Sequence, residues 1–211
     1  MKGSQIKKEI TDRLAAHFGL SGFLPIKGNL SRPQNPNGVA IEIEFSTAQR
    51  QGHVHVEPFM HVYWREFATA FYDFECEQRQ QYPLTKPARN HPVLTMQFRS
   101  LLQLIEGRNL DALCVSDFSD LDAVSSFLIE TYDHAVLLTA DKLSTPQGIL
   151  EWSIEHARTT GAWGTFAMVL LLKAVRGTDA ARAWAQARLE NRLMPFEADC
   201  LRFLMLRMPV H

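Results

Sequence analysis

The stretch Gly52-His53-Val54-His55-Val56-Glu57, followed by His61, is where residue types and spacing come closest to a reactive site. On a strand, positions i, i+2 and i+4 project from one face, about 6–7 Å between neighbours, so His53, His55 and Glu57 would line up. Two imidazoles and a carboxylate so placed suit zinc, iron or manganese and leave coordination positions open for chemistry. Such a strand site would make the chain a metal-dependent enzyme, with His61 or Glu44 as auxiliary group. The competing reading is the polar, solvent-facing side of a hairpin strand, because no fourth ligand follows in sequence. Glu42 and Glu44 share a strand face and could act as acid and base, although alternate acids on an exposed sheet face are common.

Other reactive groups are weaker candidates. The three cysteines, Cys76, Cys114 and Cys200, are odd in number and widely spaced, which disfavours a disulfide framework or a structural zinc site. Cys76 and Cys200 have acidic neighbours (Glu75, Glu77, Asp199) that raise a thiol pKa, and Cys114 sits among apolar residues as a core side chain would. The chain contains no G-x-S-x-G, P-loop, H-E-x-x-H or G-x-G-x-x-G motif. The aromatic cluster Phe59, Tyr63, Trp64, Phe67, Phe71, Tyr72, Phe74 reads as core, since only Arg65 interleaves it and a nucleic-acid groove needs more cations.

The elements that must position these groups follow from periodicity. Ile6, Ile10, Leu14 and Phe18 recur at helical spacing, and Gly19 stands where a left-handed residue would end that helix. Val39, Ile41, Ile43 and Phe45 alternate with polar residues, as do Val54 and Val56 beyond Gly52, which predicts a hairpin. Tyr72, Phe74 and Cys76 alternate with Asp73, Glu75 and Glu77, predicting one more strand. The expected class is α+β: an N-terminal helix and a three- to four-stranded antiparallel sheet, followed by a helical C-terminal half. The expected division is 1–92 for helix plus sheet and 93–211 for the helical region, packed as one unit. Residues 79–92 carry three prolines and read as a long loop. Val93 to Ile105 reads as a buried helix whose start could be strand. Ser119-Asp120-Leu121-Asp122 resembles a capping box opening a helix to about Asp141, and Thr145-Pro146 opens another. Gly161, Arg176-Gly177-Thr178-Asp179 and Met194-Pro195 divide the rest into about four helices.

Charge is segregated. The net charge of −1 excludes bulk attraction to nucleic acid or to an anionic membrane surface. Residues 106–158, however, hold ten acids against three bases. Asp117, Asp120, Asp122, Glu130 and Asp133 are therefore the candidate contact residues for a basic protein partner, where complementary charge speeds association. Against this, acids at helix N-termini are favoured by the macrodipole, and a solvated acidic face is ordinary. The N-terminus lacks the apolar core of a signal peptide, and the most apolar run, Trp163 to Val175, is too short to span a bilayer. A cytoplasmic protein is expected. Phe166 to Leu172 is apolar nearly all round, which suits either a central helix or a homo-oligomer interface.

His-x-His with a nearby Glu is similar to the metal ligands of cupin barrels, but the short strands and glycines of a jelly roll are missing. The helix ending near Gly19, Gly22-Phe23 leading through Lys27-Gly28-Asn29 into a hairpin, Trp64 after the sheet, and Asp117-Phe118-Ser119-Asp120 opening a helix together resemble uncharacterised bacterial proteins built on a domain of unknown function. The resemblance covers about the first 140 residues and implies a small bacterial α+β protein; such proteins have no established activity, and a binding or immunity module is the expectation drawn from it. The leading expectation is thus a non-enzymatic protein-binding module of antitoxin or immunity type without a cofactor, using its acidic surface. The alternative is the metal-dependent enzyme, with a divalent ion such as zinc.

Overall fold

A computed structural model describes residues 2–81, 91–107, 113–131, 135–156, 164–190 and 195–208. The class is α+β. Two compact units are present, the first formed by Met1–Pro36, Ala40–Val62 and Thr95–Ser144, the second by Asn37–Val39, Tyr63–Leu94 and Thr145–His211. Each unit therefore takes residues from both sides of position 92. No described helix is long and apolar enough to cross a membrane.

The first unit begins with α1 (Gly3–Phe18), which buries Ile6, Ile10, Leu14 and Phe18 on one stripe. Gly19 is not its left-handed terminator. Its φ is −58°, a short 3-10 turn runs on over Gly19–Ser21, and Gly22 at φ 79° makes the reversal instead. Strands β1 (Leu24–Ile26) and β2 (Asn29–Arg32) form a tight hairpin in which Lys27 and Gly28 both have positive φ, as a two-residue hairpin turn requires. The buried Thr11 hydroxyl of α1 donates to the Gly28 carbonyl at 2.7 Å and ties the helix to that turn.

The long hairpin predicted from alternation is β3 (Val39–Arg50) and β4 (His53–Trp64), joined at Gln51-Gly52 with Gly52 at φ 79°. Along β4 every second residue is buried over the whole strand, with Val54, Val56, Pro58, Met60, Val62 and Trp64 inward. The strand order is β1-β2-β3-β4-β5, with β5 spanning Leu94–Gln97, and β6 (Leu113–Val115) pairs antiparallel with β4. Among the described residues the sheet has six strands, more than the three or four expected, because β1 and the short β5 and β6 carry too few residues for alternation to reveal. The start of the 93–105 segment is thus strand, and α3 (Phe98–Glu106) follows it.

The first unit also holds α4 (Phe118–Thr131) and α5 (Leu137–Lys142), which lie within the span expected to be helical to about Asp141, residues 132–134 being outside the described ones. The capping box that opens α4 lies two residues upstream of the expected one. Asp117 accepts from the Ser119 N–H at 2.8 Å, while Asp120 reaches back to the Asp117 N–H at 3.3 Å and the Ser116 N–H at 2.6 Å.

In the second unit the expected strand at 72–77 is helix: α2 runs Arg65–Gln81 and takes in the first residues of the expected loop, whose residues 82–90 lie outside the described ones. Phe67, Phe71 and Phe74 occur at helical spacing and are fully buried, and all three rings meet Phe166 at centroid distances of 5.2–5.9 Å. Four further helices lie among the unit's described residues: α6 (Pro146–Glu155), α7 (Gly164–Arg176), α8 (Thr178–Leu189) and α9 (Pro195–Leu206). Thr145 caps α6, its hydroxyl accepting from the Gly148 N–H at 3.1 Å. Helix α7 packs on α2, α6, α8 and α9, so its all-round apolar surface is used inside the unit. Gly161 and Trp163 lie outside the described residues.

Candidate metal centre

The pleat of β4 turns His53, His55, Glu57, Phe59 and His61 to the face opposite the core, where all five are half-buried. At its N-terminal end the two imidazoles converge: Nε2 of His53 and Nε2 of His55 are 3.0 Å apart, with ring centroids at 4.9 Å. Pairing of β6 with β4 sets Cys114 directly opposite His55. One donor atom from each of His53, His55 and Cys114 falls within 4.8 Å of the others. A tetrahedral zinc ion needs about 3.3 Å between its nitrogen ligands and about 3.5 Å between nitrogen and sulfur. The nitrogens are already near that spacing, and exposed Cys114 has at most about 1.3 Å to close by side-chain adjustment. Three such ligands leave the fourth position for water.

Glu57, the expected third ligand, stands apart from this trio. Its carboxylate is taken by the guanidinium of Arg99 on α3, a partner no local pattern announces. Cys114, read from its neighbours as core, is exposed; Val115 beside it is the buried residue of β6. The only sequence signal for this was the short Leu-Cys-Val alternation, and the cross-strand pairing with His55 has no signal at all.

His61 lies further along the same face. Its Nε2 is 3.1 Å from Glu44 Oε2 and its Nδ1 is 3.0 Å from the Thr95 hydroxyl. Glu44 also stands 3.9 Å from the Lys7 ammonium, and Glu42 accepts from the Asn29 amide at 2.5 Å, so the two acids are engaged separately.

Three of the acids expected to form a docking surface, Asp117, Asp120 and Asp122, are engaged within the chain. Asp117 and Asp120 form the α4 cap, and hydrogen bonds from the Ser119 hydroxyl, the Ser119 N–H and the Asp120 N–H hold the Asp117 carboxyl below its ordinary value. Asp122 pairs with Arg13 of α1, and Asp141 pairs with Arg32 of β2 at 2.7 Å. Glu130 is exposed, and Asp133 lies outside the described residues. Glu151 and Glu155 belong to the second unit.

Among the remaining cysteines, Cys76 is half-buried and Cys200 is buried. Burial, reinforced by Asp199 and Glu197, pushes the Cys200 thiol up to about 12, which removes it as a nucleophile at neutral pH. The second unit also contains a cleft of about 140 Å³ among α2, α7 and α9. That is well below the roughly 300 Å³ at which small-molecule pockets begin, and Arg207 at its rim is already stacked on Phe203 and paired with Glu77. No protein-family model, no curated protein and no solved structure matches this chain, so the functional reading rests on the geometry of its own side chains.

Proposed function

We propose that the chain binds one divalent transition-metal ion, zinc by preference, through His53, His55 and Cys114 on the open face of its sheet. The observation that carries this reading is the convergence of two imidazoles and a thiol, drawn from strands far apart in sequence, within 4.8 Å. A thiolate with two imidazole nitrogens is a soft to borderline donor set that favours zinc over magnesium, calcium or manganese. Binding displaces the thiol proton and takes both Nε2 lone pairs, so affinity falls as pH falls. The reading of a docking face for a basic protein draws less support, because Asp117, Asp120 and Asp122 already have partners within the chain.

Protein prepared without a histidine tag, loaded with zinc and dialysed, is expected to retain close to one equivalent. His55→Ala and Cys114→Ser should each weaken binding by more than the roughly 10–100-fold that outer-shell partners contribute. Cobalt loading adds a second readout, a thiolate-to-metal absorption band lost in Cys114→Ser. Wild-type protein that retains far less than one equivalent and shows no such band would sink the reading.

A further inference from the structure

We propose that Glu44, His61 and Thr95 form a second site, independent of the metal centre, that cleaves small carboxylic esters by acyl transfer through the Thr95 hydroxyl. The three side chains come from the three neighbouring strands β3, β4 and β5 and form a chain of contacts, with Thr95 Oγ1 to His61 Nδ1 at 3.0 Å and His61 Nε2 to Glu44 Oε2 at 3.1 Å. The chemistry of the partners assigns the tautomer. A carboxylate only accepts, so Nε2 carries the proton that Glu44 receives; Nδ1 of the neutral ring is then a lone pair, and the Thr95 hydroxyl donates to it. That is the ground state of a base-assisted alcohol, with the imidazole oriented by an acid on its far side.

Glu44 is held from its other side by the Lys7 ammonium at 3.9 Å, which favours one carboxylate position. The His61 side chain is 14% exposed, sheltered enough to keep its orientation, whereas Thr95 on β5 is exposed to an incoming substrate. Phe59 stacks parallel to the imidazole at 6.1 Å and offers an apolar wall to the acyl group. His61 is six residues beyond His55 on β4, about 20 Å along an extended strand, so one small substrate cannot reach both sites.

The reaction balances without any co-reactant except water. Thr95 Oγ bonds to the ester carbonyl carbon as its proton passes to His61 Nδ1. The carbon–oxygen bond to the leaving alcohol then breaks, and that alcohol departs with the proton. Water attacks the acyl-threonine, giving a proton to Nδ1; the acyl–Oγ bond breaks, the acid leaves, and the proton returns to Thr95. Glu44 is a positioning residue that never bonds to substrate.

The test uses p-nitrophenyl acetate with the full-length chain, reading nitrophenolate release and the acetylated residue by peptide mass spectrometry. Expected are a burst of nitrophenolate and an acetyl group on Thr95. Thr95→Val should lose the adduct and at least about 100-fold in rate, Thr95→Ser should restore both, and His61→Asn should fall comparably. Glu44→Gln should lower kcat with little change in KM. Excess chelator leaves the burst in place, whereas a burst abolished by chelation assigns the chemistry to the metal centre and overturns the relay. Acetylation confined to other residues, a Thr95→Val protein as fast as wild type, or no release above buffer from folded protein likewise overturns it.

Discussion

Residues 53–64 and 65–81 are consecutive in the chain and both contain a run that alternates apolar with polar side chains, yet the first is strand β4 and the second helix α2. In β4 the alternation persists over all twelve residues, and every inward position is buried. In α2 it lasts only from Tyr72 to Glu77 and is embedded in a longer pattern, Phe67, Phe71 and Phe74, whose spacing of four and three puts the rings on one helical stripe. The longer pattern wins because burying three phenylalanines contributes about 1.5–3 kcal/mol each, more than a short strand burying Tyr72, Phe74 and Cys76 can offer. The contrast also separates two uses of aromatic residues. In α2 they are core, and on the outer face of β4 Phe59 merely lies beside His61.

The largest effect that sharpens this comparison is expected from Phe71→Ala, which removes a buried ring facing Phe67, Phe74 and Phe166 and should cost about 3–5 kcal/mol in urea unfolding. Phe59→Ala on the half-buried face should cost well under half as much; equal losses would break the contrast. Next comes zinc. At a free concentration 100-fold above its dissociation constant, it should raise stability by about 2.7 kcal/mol, and His53→Ala should erase the gain, as read by the shift in the thermal midpoint. Thr145→Ala, which removes the α6 cap, should cost about 1 kcal/mol in the same unfolding assay.

The smallest effect belongs to Asp117. Its carboxyl is held below the ordinary value of 3.8 in the folded chain, so its contribution is present above that value and is lost as pH falls through the folded one. Asp117→Asn should therefore slightly lower stability at neutral pH and flatten its decline as pH falls below the ordinary carboxyl value. A steeper acid decline in the variant would reverse the sign and remove the capping role.

Features set by a few adjacent residues were readable in advance. Helix α1, the β3–β4 hairpin with its Gly52 turn, the Thr145-Pro146 start of α6, and the breaks at Gly177 and Pro195 that separate α7, α8 and α9 all follow from short-range period, capping and φ preference. Where two local signals compete, the tertiary structure chooses a position a few residues away. Asp117 took the capping position from Ser119, and Gly22 the reversal from Gly19.

The candidate sites were legible only by half. The alternation of His53, His55 and His61 along β4 is written in the chain, because a strand's pleat has a period of two whatever it pairs with. Their partners are not. Cys114 reaches His55, Thr95 reaches His61, and Arg99 takes Glu57 through strand register and helix placement. Arg13 and Arg32 pair with Asp122 and Asp141 across 109 residues each. Those meetings depend on which apolar faces bury against each other, a property of the assembled sheet and helices that no short window of sequence contains.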